Sequence, residues 1–176
     1  MFAIVHTQSC AQMALKLSDK LSEKLSDKLS DGSDEVRLVP VEEALSDPDA
    51  LGDFDKIGLV FHNDGKSLPV EMQNYIREVL GNSDLRGLEY MFSLCMCDNP
   101  GHALKIVEKL CAKAGCAPSL SLSLKADASE KDIEDVASLV ESGDIRLAKG
   151  SIWTWLYMLF HGIKTTSAGK VPAERD

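Results

Sequence analysis

The side chains with the widest chemical reach in this chain are its histidines and cysteines, and many of them share one kind of position. His6, Cys10, His62, Cys95, Cys97 and His102 each stand at or just past the end of a short apolar run. If those runs are parallel strands, three of the four histidines and three of the five cysteines gather at one rim. Sulfur and imidazole are ligands that suit zinc or copper. A thiol at a helix N-terminus, the place Cys10 would occupy, is also of the kind that the helix dipole makes reactive. The plainer reading is that Cys95 is a buried strand residue and the histidines line a polar rim. Cys95-x-Cys97 is a weak ligand signal, because alternate strand residues point the same way yet seldom bind one metal together. The plainer reading is preferred, so no metal ligand and no catalytic side chain is assigned.

Other chemistries find no support. The Cys-x-x-Cys-x-x-Cys-x-x-x-Cys-Pro run of a ferredoxin does not occur. Neither does a nucleotide P-loop, a nucleophile elbow or an HExxH helix. A formal net charge of −9 repels phosphate backbones, which argues against a nucleic-acid partner. The same charge favours encounter with a basic protein. The stretch Met1-Phe2-Ala3-Ile4-Val5-His6 lacks the basic and apolar regions of a secretory signal. Together with an odd number of cysteines in no paired spacing, this reads as a cytoplasmic protein with reduced thiols.

The elements that must position these residues follow from hydrophobic pattern. A chain of 176 residues suits one domain with a real core. Phe2-Ala3-Ile4-Val5 is a buried strand, and the polar loop Thr7-Gln8-Ser9-Cys10 leads into a helix from about Ala11 to Ser30. In that helix Leu17, Leu21, Leu25 and Leu29 recur every fourth residue, which drifts by roughly 40° per step and makes a broad apolar face. The intervening Asp, Glu and Lys residues form a solvated outer face, and Gly32 is a helix stop. Val36 to Val39 is a second strand ended by Pro40, followed by an acidic connection from Val41 to Asp55 with room for one helical turn. Ile57-Gly58-Leu59-Val60-Phe61 is continuous and apolar, as parallel strands buried on both faces are. Pro69 opens a helix to about Leu80, with Val70, Tyr75, Ile76, Val79 and Leu80 as packing residues. Glu89 to Cys95 is a strand, and a helix runs from about His102 to Ala114, stopped by Gly115. Ser119 to Leu124 alternates as an edge strand does, and Ser129 caps a helix to about Ser142. Strands alternating with helices imply parallel pairing through right-handed crossovers in an open, doubly wound sheet. Ligands of such sheets sit beyond the carboxyl ends of the strands, where the order reverses.

With these elements in place the chain resembles the flavodoxin superfamily, and most of all the flavodoxin domains that accompany bacterial ferredoxin modules. The resemblance covers residues 1–126. It rests on the first strand with its hydroxyl-bearing loop, on Asp53-Phe54-Asp55-Lys56-Ile57-Gly58-Leu59-Val60-Phe61, on Leu68-Pro69 ahead of a helix, and on the strand to Cys95 with Asn99-Pro100-Gly101-His102-Ala103-Leu104 opening the next helix. It implies an α/β fold: a five-stranded parallel sheet in the order 2-1-3-4-5 with helices on both faces, over residues 1–163.

The resemblance also implies a cofactor, FMN. Its phosphate would be held in the loop after the first strand by backbone N–H groups at a helix N-terminus and by Ser/Thr hydroxyls. The matching residues are Thr7, Gln8, Ser9, Cys10, Ala11 and Gln12, with Cys10 where the family has a glycine. The alternative is a tight turn in which Thr7 or Ser9 merely caps the helix. The flavin ring would lie against His62, Asn63, Asp64 and Gly65 and against Met96, Cys97, Asp98, Asn99 and Gly101. Neither loop supplies Trp or Tyr. Two functions follow: an FMN-binding electron carrier or small oxidoreductase with a redox partner such as a ferredoxin, or a flavodoxin-fold module that has lost flavin and serves as a binding or regulatory partner. The segment Trp153 to Phe160 is apolar all round and too short for a bilayer span of roughly 20 residues, so it is expected to be buried, as a closing helix or in a homodimer. Lys164 to Asp176 reads as a polar tail.

Overall fold

The computed structural model describes residues 1–26, 35–48, 53–63, 67–83, 87–98, 100 and 102–146. Leu29, Gly32, Asp64, Gly65, Asn99, Gly101, the Trp153–Phe160 segment and the polar tail lie outside the described residues.

The strands are β1 (Phe2–His6), β2 (Val36–Pro40), β3 (Lys56–His62), β4 (Tyr90–Met96) and β5 (Leu120–Leu124). The helices are α1 (Ala11–Ser26), α2 (Val41–Ser46), α3 (Val70–Asn74), α4 (Ala103–Lys113) and α5 (Glu130–Glu141). A short 3₁₀ turn, Gln8–Cys10, joins β1 to α1, and α3 continues through a π-helical turn, Tyr75–Val79, and a 3₁₀ turn, Leu80–Asn82. All neighbouring strands are parallel, in the order 2-1-3-4-5.

The two-residue period of the strands divides the core into two layers. Ala3, Val5, Ile57, Leu59, Phe61, Met91 and Cys95 face α2, α3 and α4, whose Val41, Ala44, Met72, Tyr75, Ile76, Val107 and Cys111 cover them. Phe2, Ile4, Val60, Phe92, Leu94 and Leu120 face α1 and α5. The leucine stripe does what its spacing foretells: Leu17, Leu21 and Leu25 are buried on the sheet beside Ala14. On the same face, α5 contributes Ile133, Val136, Ala137 and Val140. The expected cap of α5 is present as a full capping box, in which Ser129 Oγ accepts from the Asp132 N–H and the Asp132 carboxylate accepts from the Ser129 N–H.

One packing expectation fails. Val70 is 67% exposed. It follows Pro69 at the first helical position, and the buried stripe of α3 begins two residues later at Met72. The acidic connection after β2 carries the one helical turn expected of it, as α2.

Candidate cofactor-binding site

Strands β1, β3 and β4 end side by side, so the loops after His6, His62 and Met96 share one rim of the sheet. The register places His6 opposite Val60 and His62 opposite Met96. Backbone bonds tie the loops to the strands beneath them. The Thr7 N–H donates to the Val60 carbonyl at 3.1 Å, and the Cys97 N–H donates to the Leu124 carbonyl at 2.8 Å. The Asn63 N–H reaches the Met96 carbonyl at 3.4 Å.

The first loop is built around hydroxyls. Thr7 leaves β1 in an extended conformation and its side chain makes no capping bond to the turn that follows. Its Oγ1 instead lies 3.2 Å from Ser9 Oγ. Thr7 is buried, whereas Gln8, Ser9 and Gln12 are exposed and Ala11 is half-buried. The Cys10 N–H donates to the Thr7 carbonyl at 2.9 Å, which closes the turn. The Gln8 and Ser9 N–H groups meet no backbone acceptor among the described residues. Two N–H groups and two hydroxyls therefore stand at the positive end of α1, a helix of 16 residues. That is the donor set an anion requires.

Cys10 is buried with the α1 layer of the core. Burial pushes the Cys10 thiol up from its ordinary range, and the neighbouring Thr7 and Ser9 side chains offset the rise only in part. Its seat at a helix N-terminus does not make it an acidic thiol, because desolvation dominates.

The other two loops form a clasp. Asn63 is buried and its Nδ2 donates to the Pro100 carbonyl at 3.1 Å. Asn63 therefore joins the loop after β3 to the loop after β4. His62 and Asp98 are exposed at the rim, and Met96 and Cys97 are buried below it. His102 is exposed at the start of α4. His6 is buried, with its Nδ1 3.1 Å from the Thr7 carbonyl.

The histidines and cysteines of the rim do not converge as one cluster. No group of three His, Cys, Asp or Glu residues positioned to hold a metal occurs among the described residues. Cys10 belongs to the core layer under α1, whereas Cys95 and Cys97 belong to the opposite layer. Those two cysteines do meet, with their sulfurs 3.1 Å apart. Spacing along an ideal strand gave little reason to expect this. The signal was the end of the strand: β4 stops at Met96, and Cys97 is free of the pleat that keeps alternate side chains parallel.

The site has the chemistry of an anion cradle beside two loops that carry no Trp or Tyr among their described residues. The comparisons with known proteins agree with that geometry at the level of fold. No family model matches the chain, and no curated protein matches its sequence. Solved structures do match. One is a rubredoxin:oxygen oxidoreductase from the anaerobe Desulfovibrio gigas, with a TM-score of 0.54 and 10% identity, over 89% of this chain and 36% of that one. A second is a flavodiiron core from Synechocystis sp. PCC6803, with a TM-score of 0.58 and 15% identity, over 81% of this chain and 34% of that one. A third is a short-chain flavodoxin associated with a bacterial microcompartment, with a TM-score of 0.58 and 15% identity, over 81% of this chain and 96% of that one. The chain thus spans about a third of the length of the first two and nearly all of the third. With five parallel strands in the order 2-1-3-4-5 between two helical layers, the chain has the flavodoxin-like fold.

Proposed function

We propose that this chain binds FMN non-covalently at the loops that begin at Thr7, His62 and Met96, and that it carries electrons to or from a redox partner of the ferredoxin kind. One observation supports this above the others. The Thr7 and Ser9 hydroxyls pair with each other at the head of α1, beside the Gln8 and Ser9 N–H groups, which meet no backbone acceptor among the described residues, and the Thr7 side chain makes no cap bond. When bound, the flavin supplies the one- or two-electron chemistry, and the protein supplies binding, orientation and electrostatics. Thr7, Ser9 and the Gln8 and Ser9 N–H groups would hold the phosphate. Gln12 sits one turn into α1, exposed beside them. The clasp from Asn63 to the Pro100 carbonyl keeps the two ring-facing loops at a fixed separation. His62 and Asp98 flank the rim, and the Asp98 carboxylate would disfavour extra negative charge on a reduced ring. No side chain has to act as an acid or a base.

The supporting experiment is a visible absorption spectrum of the purified chain, before and after FMN is added and the excess removed by desalting. A retained flavin band supports the proposal. An alternative function is that of a flavin-free binding module, favoured by the buried Cys10 side chain that stands where the resembled family has a glycine. In that case added FMN is lost on desalting, and Cys10→Gly, which removes the sulfur, recovers binding.

A further inference from the structure

We propose that Cys95 and Cys97 form a reversible dithiol–disulfide pair at the end of β4, oxidised by low-molecular-weight disulfides of the glutathione type. Their sulfurs are 3.1 Å apart, which is about 1 Å longer than an S–S bond. Residues two apart in a strand have Cα atoms roughly 6.6 Å from each other, at the upper end of what a disulfide spans. Closing the bond therefore needs a small inward movement of one residue. Cys95 cannot supply it, because it is inside β4 and paired in register with Phe61 and Ser123. Cys97 can, because it lies one residue beyond the strand, where its N–H donates to the Leu124 carbonyl. The movement would be passed to Met96, whose carbonyl accepts from the Asn63 N–H, and so to the clasp between the two loops.

The two thiols have different roles. Cys97 is 7% exposed and Cys95 is 0% exposed, so Cys97 meets the oxidant first. Burial and the adjacent Cys97 raise the Cys95 thiol well above its usual range, so Cys95 is a poor nucleophile toward an oxidant in solution and reacts only with a disulfide held beside it. In the first step the Cys97 thiolate attacks the small disulfide, forming a mixed disulfide and releasing one thiolate. In the second step the Cys95 sulfur attacks the Cys97 sulfur and displaces the second thiolate, which takes up the Cys95 proton. The protein loses two electrons and two protons, and one small disulfide becomes two small thiols. Cys111 and Cys116, the other neighbouring pair, are 0% and 1% exposed and serve as the internal comparison. The pair does not depend on flavin binding.

The test uses the full chain, folded and without added flavin. It is treated with oxidised glutathione, the remaining thiols are alkylated, and the tryptic peptide spanning residues 87–105 is weighed. The expected result is a peptide that has lost two hydrogens, carries no alkyl group and recovers both alkylation sites after dithiothreitol. In Cys95→Ser the same peptide should instead hold one glutathione on Cys97, and in Cys97→Ser neither glutathione nor a lost hydrogen should appear on Cys95. Full alkylation of both cysteines after oxidation of the folded protein overturns the proposal. So does a bond from either cysteine to Cys10, or between two copies of the chain.

Discussion

The ring of Phe92 lies over Gly58, its register partner on the neighbouring strand, in the space that a Cβ at position 58 would need. With that space open, Phe92 reaches across β3 toward β1 and meets Phe2, ring centroids 5.9 Å apart and planes tilted by 55°. Three strands are thereby joined on the face that α1 and α5 cover. Gly58→Ala is expected to force the Phe92 ring out of this seat. The cost should be about 1–3 kcal/mol, as for other overpacked cores. Urea unfolding of Gly58→Ala, Phe92→Leu and the double variant checks this. The double variant should lose less than the sum of the two singles, because the smaller side chain at 92 relieves the clash.

The capping box of α5 has a consequence for pH. The Ser129 hydroxyl is the first cause, and the Ser129 backbone N–H the second, of an Asp132 carboxyl held below its ordinary range. A carboxyl depressed in the folded state contributes stability that is fully present above its unfolded pKa, about 4. That contribution is lost as pH falls through the folded value. Ser129→Ala is expected to lower stability at neutral pH by about 1 kcal/mol. It should also flatten the fall in stability below pH 4 relative to the natural sequence. Thermal unfolding at a series of pH values reads both effects.

Tyr75 is fully buried, and its hydroxyl has no hydrogen-bond partner among the described residues. Burial raises its pKa far beyond the ordinary phenol range. An unsatisfied buried hydroxyl costs about 1–3 kcal/mol. Tyr75→Phe keeps the ring that packs between α3 and the sheet while removing that atom. The variant is expected to match or exceed the natural protein in urea midpoint by an amount equivalent to about 1 kcal/mol. A loss of that size would mean that the hydroxyl has a partner in the folded protein.

The stripe of α1 is expected to carry much of the second core layer. Leu17 and Leu21 are both completely buried. Leu17→Ala or Leu21→Ala should cost about 2–5 kcal/mol. Leu15→Ala, two residues before Leu17 and 52% exposed, should change stability by less than about 0.5 kcal/mol. Chemical denaturation of the three variants separates the buried face of the helix from its solvated face.

Much of this arrangement is legible in the residues themselves. Continuous apolar runs such as Ile57 to Phe61, alternating with helices, the first of which has leucines at every fourth residue, lead to a parallel sheet with two covered faces. The hydroxyl-bearing loop after the first strand also stands where its order in the chain requires. What escapes the sequence is set by tertiary register. Gly58 looks like any small strand residue until Phe92 is placed opposite it. Cys95 and Cys97 look like parallel strand side chains until β4 ends between them. Cys10 invites comparison with reactive thiols at helix N-termini, and only its depth in the core shows that desolvation outweighs the dipole. Val70 is apolar at a position whose direction is fixed by Pro69 and the first helical turn.

The central claim is that the loop from Thr7 to Cys10 holds the phosphate of FMN, and it is tested most directly by titrating FMN into the natural protein and into Thr7→Ala/Ser9→Ala, followed by flavin fluorescence. Each hydrogen bond to a charged group contributes about 1.5–3 kcal/mol. Saturable binding by the natural protein and a loss of at least roughly tenfold in affinity in the double variant is the expected result. No saturable binding, or equal affinity in a double variant that unfolds at the same urea concentration, would contradict it.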